Sequence, residues 1–210
     1  MRVVATRRNM RSILRWTQRL LFALGATLLT YSGYVVVDAQ LFQNREDRHL
    51  DRMLVERQGA NAGESPTAAP LLPAVPEPAW PRGLIGRIEI PRLGLEVIVM
   101  EGVDHATLRR AAGHIPGTAL PGQAGNVGIS GHRDTFFRPL RNIRNNDLIN
   151  IITPLGDYRY RVVSSDVVDP RNVAVLASSA SEILTLVTCY PFYFVGPAPD
   201  RFIVRAERVL

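Results

Sequence analysis

Residues 181–192 read SEILTLVTCYPF, and this stretch decides the fold class. Its residues up to Tyr190 are mostly aliphatic or β-branched, and Pro191 follows them. The stretch therefore predicts a buried β-strand with Cys189 near its end. Six further runs share this texture: LIGRIEI, LEVIVM, NVGIS, DLINIIT, YRYRVVSSDVV and RFIVRAERV. Seven short strands predict a barrel or a sandwich, and residues 104–112 (DHATLRRAA) predict one short helix with Asp104 near its N-cap.

These runs place the folded domain at residues 83–210. Residues 59–82 before it carry six prolines among Ala, Gly and Ser, which favours an extended spacer and cannot build a core. Residues 38–58 alternate in charge, with apolar residues at Leu50, Met53 and Leu54. We interpret this stretch as a short solvated helix that serves as a stalk, so residues 38–82 form a juxtamembrane helix and spacer.

The N-terminus predicts a membrane anchor. Residues 20–37 (LLFALGATLLTYSGYVVV) are uncharged and would span about 27 Å as a helix, close to the thickness of a bilayer core. The basic segment 1–19 precedes them, so the positive-inside rule predicts a cytoplasmic N-terminus and an extracytoplasmic domain. A signal peptide cleaved before Gln40 is the alternative, although this apolar run is longer than is usual for one.

The net charge of +6 does not indicate nucleic-acid binding. Residues 1–19 hold six of the 25 basic residues and no acidic residue, which leaves 19 basic and 19 acidic residues in the rest of the chain. A protein that binds a duplex needs its surplus cations on the folded domain, where they neutralise phosphates. The balance of charge beyond residue 19 therefore argues against a nucleic-acid partner.

Cys189 is the one cysteine of the sequence and the first candidate for chemistry. A free cysteine is commonly a small buried apolar residue. Outside the membrane, however, a lone thiol is exposed to oxidants and has no internal disulfide partner, which points to a nucleophile. From the residues alone both interpretations stay open.

A cysteine nucleophile needs a proton partner and, for acyl transfer, a donor to the oxyanion. His132 ends a β run after Gly131, where the backbone can turn, and is the better candidate; His114, among Gly and Pro, is expected to bond a local backbone group. Arg201 opens the last strand and can return beside Cys189. On residue type alone, any one arginine is more often a solvated surface residue.

The order His132, Cys189, Arg201 within GNVGISGHRDTFFRPL, TLVTCYPF and APDRFIVRA resembles the sortase transpeptidases, and the class D branch in particular. The segments IGRIEIPRLGL and GHIPGTALPG extend the resemblance over residues 84–209. It implies a mainly β fold: a closed eight-stranded barrel with short helices, preceded by one transmembrane helix and the Pro-rich spacer. The seven strands predicted from the sequence are then one fewer than the eight that the resemblance implies.

The resemblance also implies a mechanism. Cys189 attacks the Thr carbonyl of a Leu-Pro-x-Thr-type sorting signal and forms a thioester, while His132 protonates the departing amine. Arg201 holds the oxyanion or the backbone of the signal, and Thr188 helps to position the substrate. An amine of the cell wall or of another surface protein then attacks the thioester.

Two alternatives remain. The first is another Cys-dependent envelope enzyme of the L,D-transpeptidase type, but its Ser-His-Gly-Cys signature is replaced here by LVTCY. The second is a membrane-anchored binding module with an inert Cys189. We expect no cofactor and no metal, because the aspartates at 134, 147, 157, 166 and 169 lack the Asp-x-Asp spacing of calcium loops.

Overall fold

The computed structural model describes residues 7–63, 83–194 and 196–209. The chain divides into two compact units, Met1–Leu41 and Phe42–Leu210. Helix α1 (Arg7–Gly63) supplies the described part of the first unit and the first residues of the second. The remainder of the predicted Pro-rich spacer, residues 64–82, lies outside the described residues.

The described part of the first unit, residues 7–41, is helical. The predicted anchor, residues 20–37, is helical throughout, as expected. Its large side chains are exposed, with Leu21 at 61%, Phe22 at 71% and Leu29 at 76%. Within the described residues, α1 is the one helix long and apolar enough to cross a membrane.

The second unit holds a β-barrel. In the part of the chain that the structure describes, eight strands close on themselves in the order β1-β2-β3-β4-β7-β8-β6-β5. They are β1 (Leu84–Ile90), β2 (Leu95–Glu101), β3 (Ala112–His114), β4 (Gly125–Ser130), β5 (Leu148–Ile152), β6 (Asp157–Val168), β7 (Glu182–Tyr190) and β8 (Asp200–Val209). Short 3-10 helices cover Pro91–Leu93, Arg138–Asn142 and Val173–Leu176. The expected closed eight-stranded barrel is confirmed.

The barrel interior is the core of this unit. Alternate residues of the strands point inward, as the period of two along a strand requires. These residues are fully or almost fully buried and include Ile88, Val99, Val127, Leu184 and Val204. Two parallel pairings, β2 with β3 and β4 with β7, interrupt an otherwise antiparallel barrel.

The strand missing from the sequence count is β3, because Ala112–His114 has three residues and no β-branched one. It pairs in parallel with β2 and antiparallel with β4. Close backbone approach explains its glycine: a Cβ on Gly113 would lie 2.2 Å from the carbonyl oxygen of Gly102. A strand that forms through such close backbone contact lacks the run of apolar, β-branched residues by which a strand is recognised in a sequence.

Helix α2 (His105–Arg110) corresponds to the predicted helix but ends two residues earlier. Asp104 is its N-cap, as expected, and accepts hydrogen bonds from the backbone N–H groups of Ala106 and Thr107 at 2.9 and 3.1 Å. Ala111 already has an extended backbone, because the following residue begins β3. The helix is therefore shorter than predicted because residue 112 pairs in the sheet instead of continuing the helix.

Residues 43–57 of α1 pack on the barrel, so the prediction of a solvated stalk is wrong for one face of this segment. Leu50 is fully buried in a cluster with Leu84 of β1 and Ile98 of β2, and Met53 and Leu54 pack against the same cluster. The spacing of Leu50, Met53 and Leu54 is that of one helical face. That face is covered by the barrel, and the charged remainder of the segment is solvated.

Polar contacts reinforce this packing. Oε1 of Gln43 accepts a hydrogen bond from the N–H of Ile98 at 2.9 Å, and its Nε2 donates to the carbonyl of Arg110 at 2.6 Å. Arg87 of β1 forms an ion pair with Asp47 at 2.5 Å, and Arg57 pairs with Asp157 at 3.0 Å. The helix segment therefore satisfies a backbone group of β2 that the short β3 leaves without a ladder partner.

Candidate active site

Strand β7 presents Cys189 on the outer face of the barrel. Leu184 and Leu186 belong to the core, and Thr188 is 2% exposed, so the even-numbered residues of this part of the strand point inward. Side chains alternate along a strand, which directs Cys189 outward. Consistent with this, its thiol is free and half-buried. The nucleophile candidate is thus accessible, unlike a cysteine that fills a core.

Strand β8 brings Arg201 directly opposite Cys189. The two residues are Cα partners in the antiparallel β7–β8 ladder, and partners of this kind point to the same face of a sheet. The next residue, Phe202, packs against the core, which leaves Arg201 on the outer face. Its Nη1 donates hydrogen bonds to the carbonyls of Asp200 at 3.0 Å and Ala198 at 3.4 Å.

Strand β4 brings the backbone of His132 to the other side of Cys189. It runs parallel to β7 with Ser130 opposite Val187, and the N–H of Gly131 extends this ladder by donating to the carbonyl of Val187 at 3.1 Å. His132 follows in the same direction, next to the position of Cys189. Its own side chain is half-buried, and its carbonyl accepts a hydrogen bond from the N–H of Phe137.

Gly131 is needed for packing rather than for an unusual backbone. It is not among the described glycines with positive φ, so the expected freedom to turn does not explain it. A Cβ at this position would lie 2.8 Å from the ring of Phe137, which is fully buried. The glycine lets that ring lie against the residue before His132.

Thr188 serves this arrangement from inside the barrel. Its hydroxyl donates a hydrogen bond of 2.7 Å to the carbonyl of Gly131, and the side chain is 2% exposed. With almost no accessible surface, it has no face to offer a substrate. We therefore replace the predicted substrate contact with a positioning role: Thr188 holds the backbone that leads into His132.

His114 lies on β3 and is 2% exposed. Its Nδ1 is 2.7 Å from a carboxylate oxygen of Glu101, and its Nε2 is 3.0 Å from both the carbonyl of Ala119 and the hydroxyl of Thr118. The expectation that His114 bonds a local backbone group is confirmed. Both ring nitrogens are engaged, so this histidine stabilises the turn after β3.

Several aspartates that were considered as metal ligands have structural partners. A hydrogen bond from Arg92 holds the pKa of Asp147 below its ordinary value, and a hydrogen bond from Arg171 does the same for the exposed Asp169. Within the described residues, no group of three or more His, Cys, Asp or Glu side chains is arranged to hold a metal ion.

Arg133 is a residue of this region that the sequence did not single out. Its Nη2 donates to the carbonyls of Phe194 at 2.8 Å and Gly196 at 3.0 Å, which lie in the loop between β7 and β8. The only signal in the sequence was its position directly after His132. Nothing local could indicate a contact with a loop more than 60 residues away.

A thiol nucleophile, an imidazole that carries protons and a guanidinium that donates to the oxyanion can together support acyl transfer through a cysteine. Strand β7 lies between β4 and β8, so the register places Arg201 opposite Cys189 and brings the chain that leads into His132 to the other side of β7. The arrangement can supply a nucleophile, a proton carrier and an oxyanion donor without any other group.

Known proteins share this fold and sequence pattern. The family model for the Sortase domain matches residues 88–209, more than half of the chain. Sortase D of Bacillus subtilis (strain 168) is 28% identical over 192 residues, covering 90% of this chain and 96% of that protein. Sortase A of Bacillus anthracis is 25% identical over 199 residues, covering 90% and 91%.

Solved structures agree. A sortase D5 transpeptidase from Clostridium perfringens superposes with a TM-score of 0.55 and 30% identity, covering 60% of this chain and 79% of that one. Sortase A from Corynebacterium diphtheriae gives a TM-score of 0.57 and 34% identity, covering 61% and 62%. With the family model, these similarities show that the chain is a member of the sortase family of transpeptidases, close to class D.

Proposed function

We propose that this sortase cleaves a Leu-Pro-x-Thr-type sorting signal through a thioester on Cys189. It then joins the Thr carboxyl to an amine of the cell wall or of another surface protein. The observation that carries the proposal is the register of β4, β7 and β8, which sets Cys189 opposite Arg201 and next to the backbone of His132. A buried, inert cysteine would not explain that juxtaposition.

Each group has a distinct step. The Cys189 sulfur attacks the Thr carbonyl, a C–S bond forms, and the C–N bond of the signal breaks as His132 gives a proton to the departing amine. In the second step the acceptor amine forms a new C–N bond, the thiol leaves, and His132 takes the amine proton. His132 thus alternates between acid and base.

Arg201 is proposed to donate to the oxyanion or to the backbone of the signal. Among the described residues, its hydrogen bonds involve only Nη1, with carbonyls at the end of the β7–β8 loop. These bonds fix the guanidinium beside β7. The donors on Nε and Nη2 can serve the reacting carbonyl, because a guanidinium carries five N–H groups in a rigid plane.

We further propose that residues 20–37 anchor the protein in the cell membrane, with residues 1–19 in the cytoplasm and residues 83–210 outside as the catalytic domain. The exposed apolar side chains of this helix support the anchor, because such a surface is stable in lipid and costly in water. The preceding arginines support the orientation. The partners are then surface proteins with a C-terminal signal and an amine acceptor.

Mass spectrometry of the full chain in detergent, incubated with Leu-Pro-x-Thr peptides, tests this proposal. We expect a covalent adduct on Cys189 with the mass of the peptide up to Thr, and transfer of that acyl group to an added amine. The matched control is Cys189→Ala, which should form no adduct and turn over no peptide. A folded wild-type protein that forms no acyl adduct with any such peptide, or a Cys189→Ala variant that still turns peptide over, would contradict the mechanism.

A further inference from the structure

Arg133 joins the two loops that flank Cys189. It directly follows His132 in the connection between β4 and β5, which spans residues 131–147. Its Nη2 donates to the carbonyls of Phe194 and Gly196 at 2.8 and 3.0 Å, and its guanidinium lies 5.8 Å from the centre of the Phe194 ring. One side chain therefore ties the histidine connection to the loop between β7 and β8, residues 191–199.

A second arginine of the same connection makes a similar contact. The guanidinium of Arg141 lies 5.5 Å from the centre of the Tyr193 ring. Two adjacent aromatic residues of the β7–β8 loop thus each face a guanidinium from the β4–β5 connection. A cation over an aromatic ring at such a distance is attracted by the negative face of the ring.

The base and the tip of the β7–β8 loop are held in different ways. Phe192 packs on the barrel core and makes edge contacts with Tyr190 and Phe202, with ring centres 6.1 and 5.3 Å apart. Tyr193 and Phe194 remain 76% and 46% exposed. Packing therefore fixes the base, whereas the described side-chain contacts of the tip are those with the arginines, beside one backbone hydrogen bond from Phe194 N–H to the carbonyl of Pro191 at 3.3 Å.

Arg133 contributes little to global stability for a physical reason. Its two charge-assisted hydrogen bonds are favourable, but its Nη1 is buried and has no hydrogen-bond partner in the described part of the chain. A buried donor without a partner costs about as much free energy as a satisfied hydrogen bond contributes. Removal of the side chain should therefore change the loop more than the fold.

We propose that Arg133, assisted by Arg141, is a positioning residue that holds the β7–β8 loop as the wall of the acceptor entrance and thereby favours amine over water. The inference rests on the proposed thioester on Cys189. The loop begins two residues after Cys189 and ends at the strand that carries Arg201, so its position sets access to any acyl group on the thiol. A held apolar wall of Tyr193 and Phe194 restricts water at the thioester.

The two competing reactions differ in one reactant. With an amine, a C–N bond forms, the C–S bond breaks, the sulfur keeps the electron pair, and His132 accepts the amine proton. With water, a C–O bond forms and the signal is released as a free acid. A β7–β8 loop that is less firmly held admits more water. The fraction of acyl-enzyme lost to hydrolysis therefore reports how firmly Arg133 holds this loop.

The experiment compares Arg133→Met and Arg133→Lys in the full chain with the matched control Arg138→Met. Arg138 is exposed, lies in the same connection and has no side-chain bond among those described. With a fixed peptide and amine, we expect Arg133→Met to form acyl-Cys189 at a rate within about threefold of wild type. The ratio of hydrolysis to aminolysis should rise about tenfold, the factor that corresponds to one charge-assisted hydrogen bond.

Arg133→Lys separates geometry from charge. A lysine keeps the charge but lacks the planar fork that reaches two carbonyls and stacks on a ring, so it should not restore the wild-type ratio. Full rescue by Lys, or a ratio in Arg133→Met equal to that of Arg138→Met, would overturn the proposal. So would a loss of acylation with an unchanged ratio, since Arg133 would then act through His132.

Two measurements keep this inference separate from the proposed function. Hydrogen exchange of residues 191–199 and the rate of Cys189 alkylation by iodoacetamide need no sorting peptide. Both should rise in Arg133→Met and stay at the wild-type level in Arg138→Met. If the wild type forms no acyl-enzyme, the proposed function fails. In that case, unchanged exchange and alkylation in Arg133→Met would also overturn the hold of Arg133 on the loop.

Discussion

Substitution of Leu50 by Ala should destabilise the barrel, although Leu50 lies before every strand. The side chain is fully buried against Leu84 and Ile98, so truncation removes apolar contact and leaves a cavity. Buried Leu→Ala substitutions cost about 2.7–5 kcal/mol, depending on how far the site collapses. Because this cluster is small and lies under a single helix, we expect about 3 kcal/mol.

For a unit of this size, about 1 kcal/mol corresponds to roughly 2–4 °C in melting temperature. Leu50→Ala should therefore lower the melting temperature by about 6–12 °C, measured by near-ultraviolet circular dichroism of the full chain in detergent. The matched control is Val55→Ala on the same helix, where the side chain is 68% exposed. It should change the melting temperature by no more than about 2 °C.

Equal melting temperatures for the two variants would refute the packing of residues 43–57 on the barrel and restore the solvated stalk. A second readout sharpens the result. Acylation at 25 °C, well below both transitions, should be the same in both variants, because the helix segment supplies no group to the reaction. A selective loss of acylation in Leu50→Ala without a change in melting would also contradict this account.

Three further predictions concern the site and its support. His132→Ala should lower peptide turnover by about 10²- to 10⁴-fold, whereas His114→Ala should lower the melting temperature and leave most of the turnover of the folded fraction; the reverse result in turnover assays would exchange their roles. Arg201→Lys should reduce kcat/KM by about 10²- to 10³-fold with little change in melting, and near wild-type kinetics would move the oxyanion donor to the backbone. Asp147 has a native pKa below its ordinary 3.8, because an arginine donates to it, so the unfolded state binds more protons as the pH falls. Its stabilising contribution should be complete above about pH 5 and lost progressively as the pH falls below that. Asp147→Asn should therefore make the free energy of unfolding, measured with urea, depend less on pH between about pH 5 and 2; an unchanged dependence would show that other groups dominate.

The seven apolar runs could be identified as strands because each is long and rich in β-branched residues. Strand β3 could not, since its formation depends on the approach of Gly113 to the Gly102 carbonyl rather than on any property of its own side chains. The same limit applies to Leu50. Its helical spacing was visible, but an amphipathic face does not reveal what covers it.

The site residues could be nominated by type, but their proximity could not be derived. Cys189 was indicated because it is the one cysteine, and His132 by its place after Gly131 at the end of a β run, while Arg201 depended on the resemblance to sortases. What unites them is pairing between strands far apart in the sequence, which no local pattern encodes. Thr188 shows the consequence: its neighbour Cys189 points outward, and the pleat turns Thr188 itself toward the Gly131 backbone.

The position of β7 between β4 and β8 also bears on the order of events during synthesis. A ribosome produces β4 well before β7, and β8 after both, so the backbone of His132 has no neighbour on that side while β5 and β6 are being made. In this order of synthesis β7 can pair with β4 before β8 exists, and β8 then closes the barrel between β7 and β6. A nascent chain that has not reached β8 therefore lacks Arg201 opposite Cys189, even where β4 and β7 have already paired.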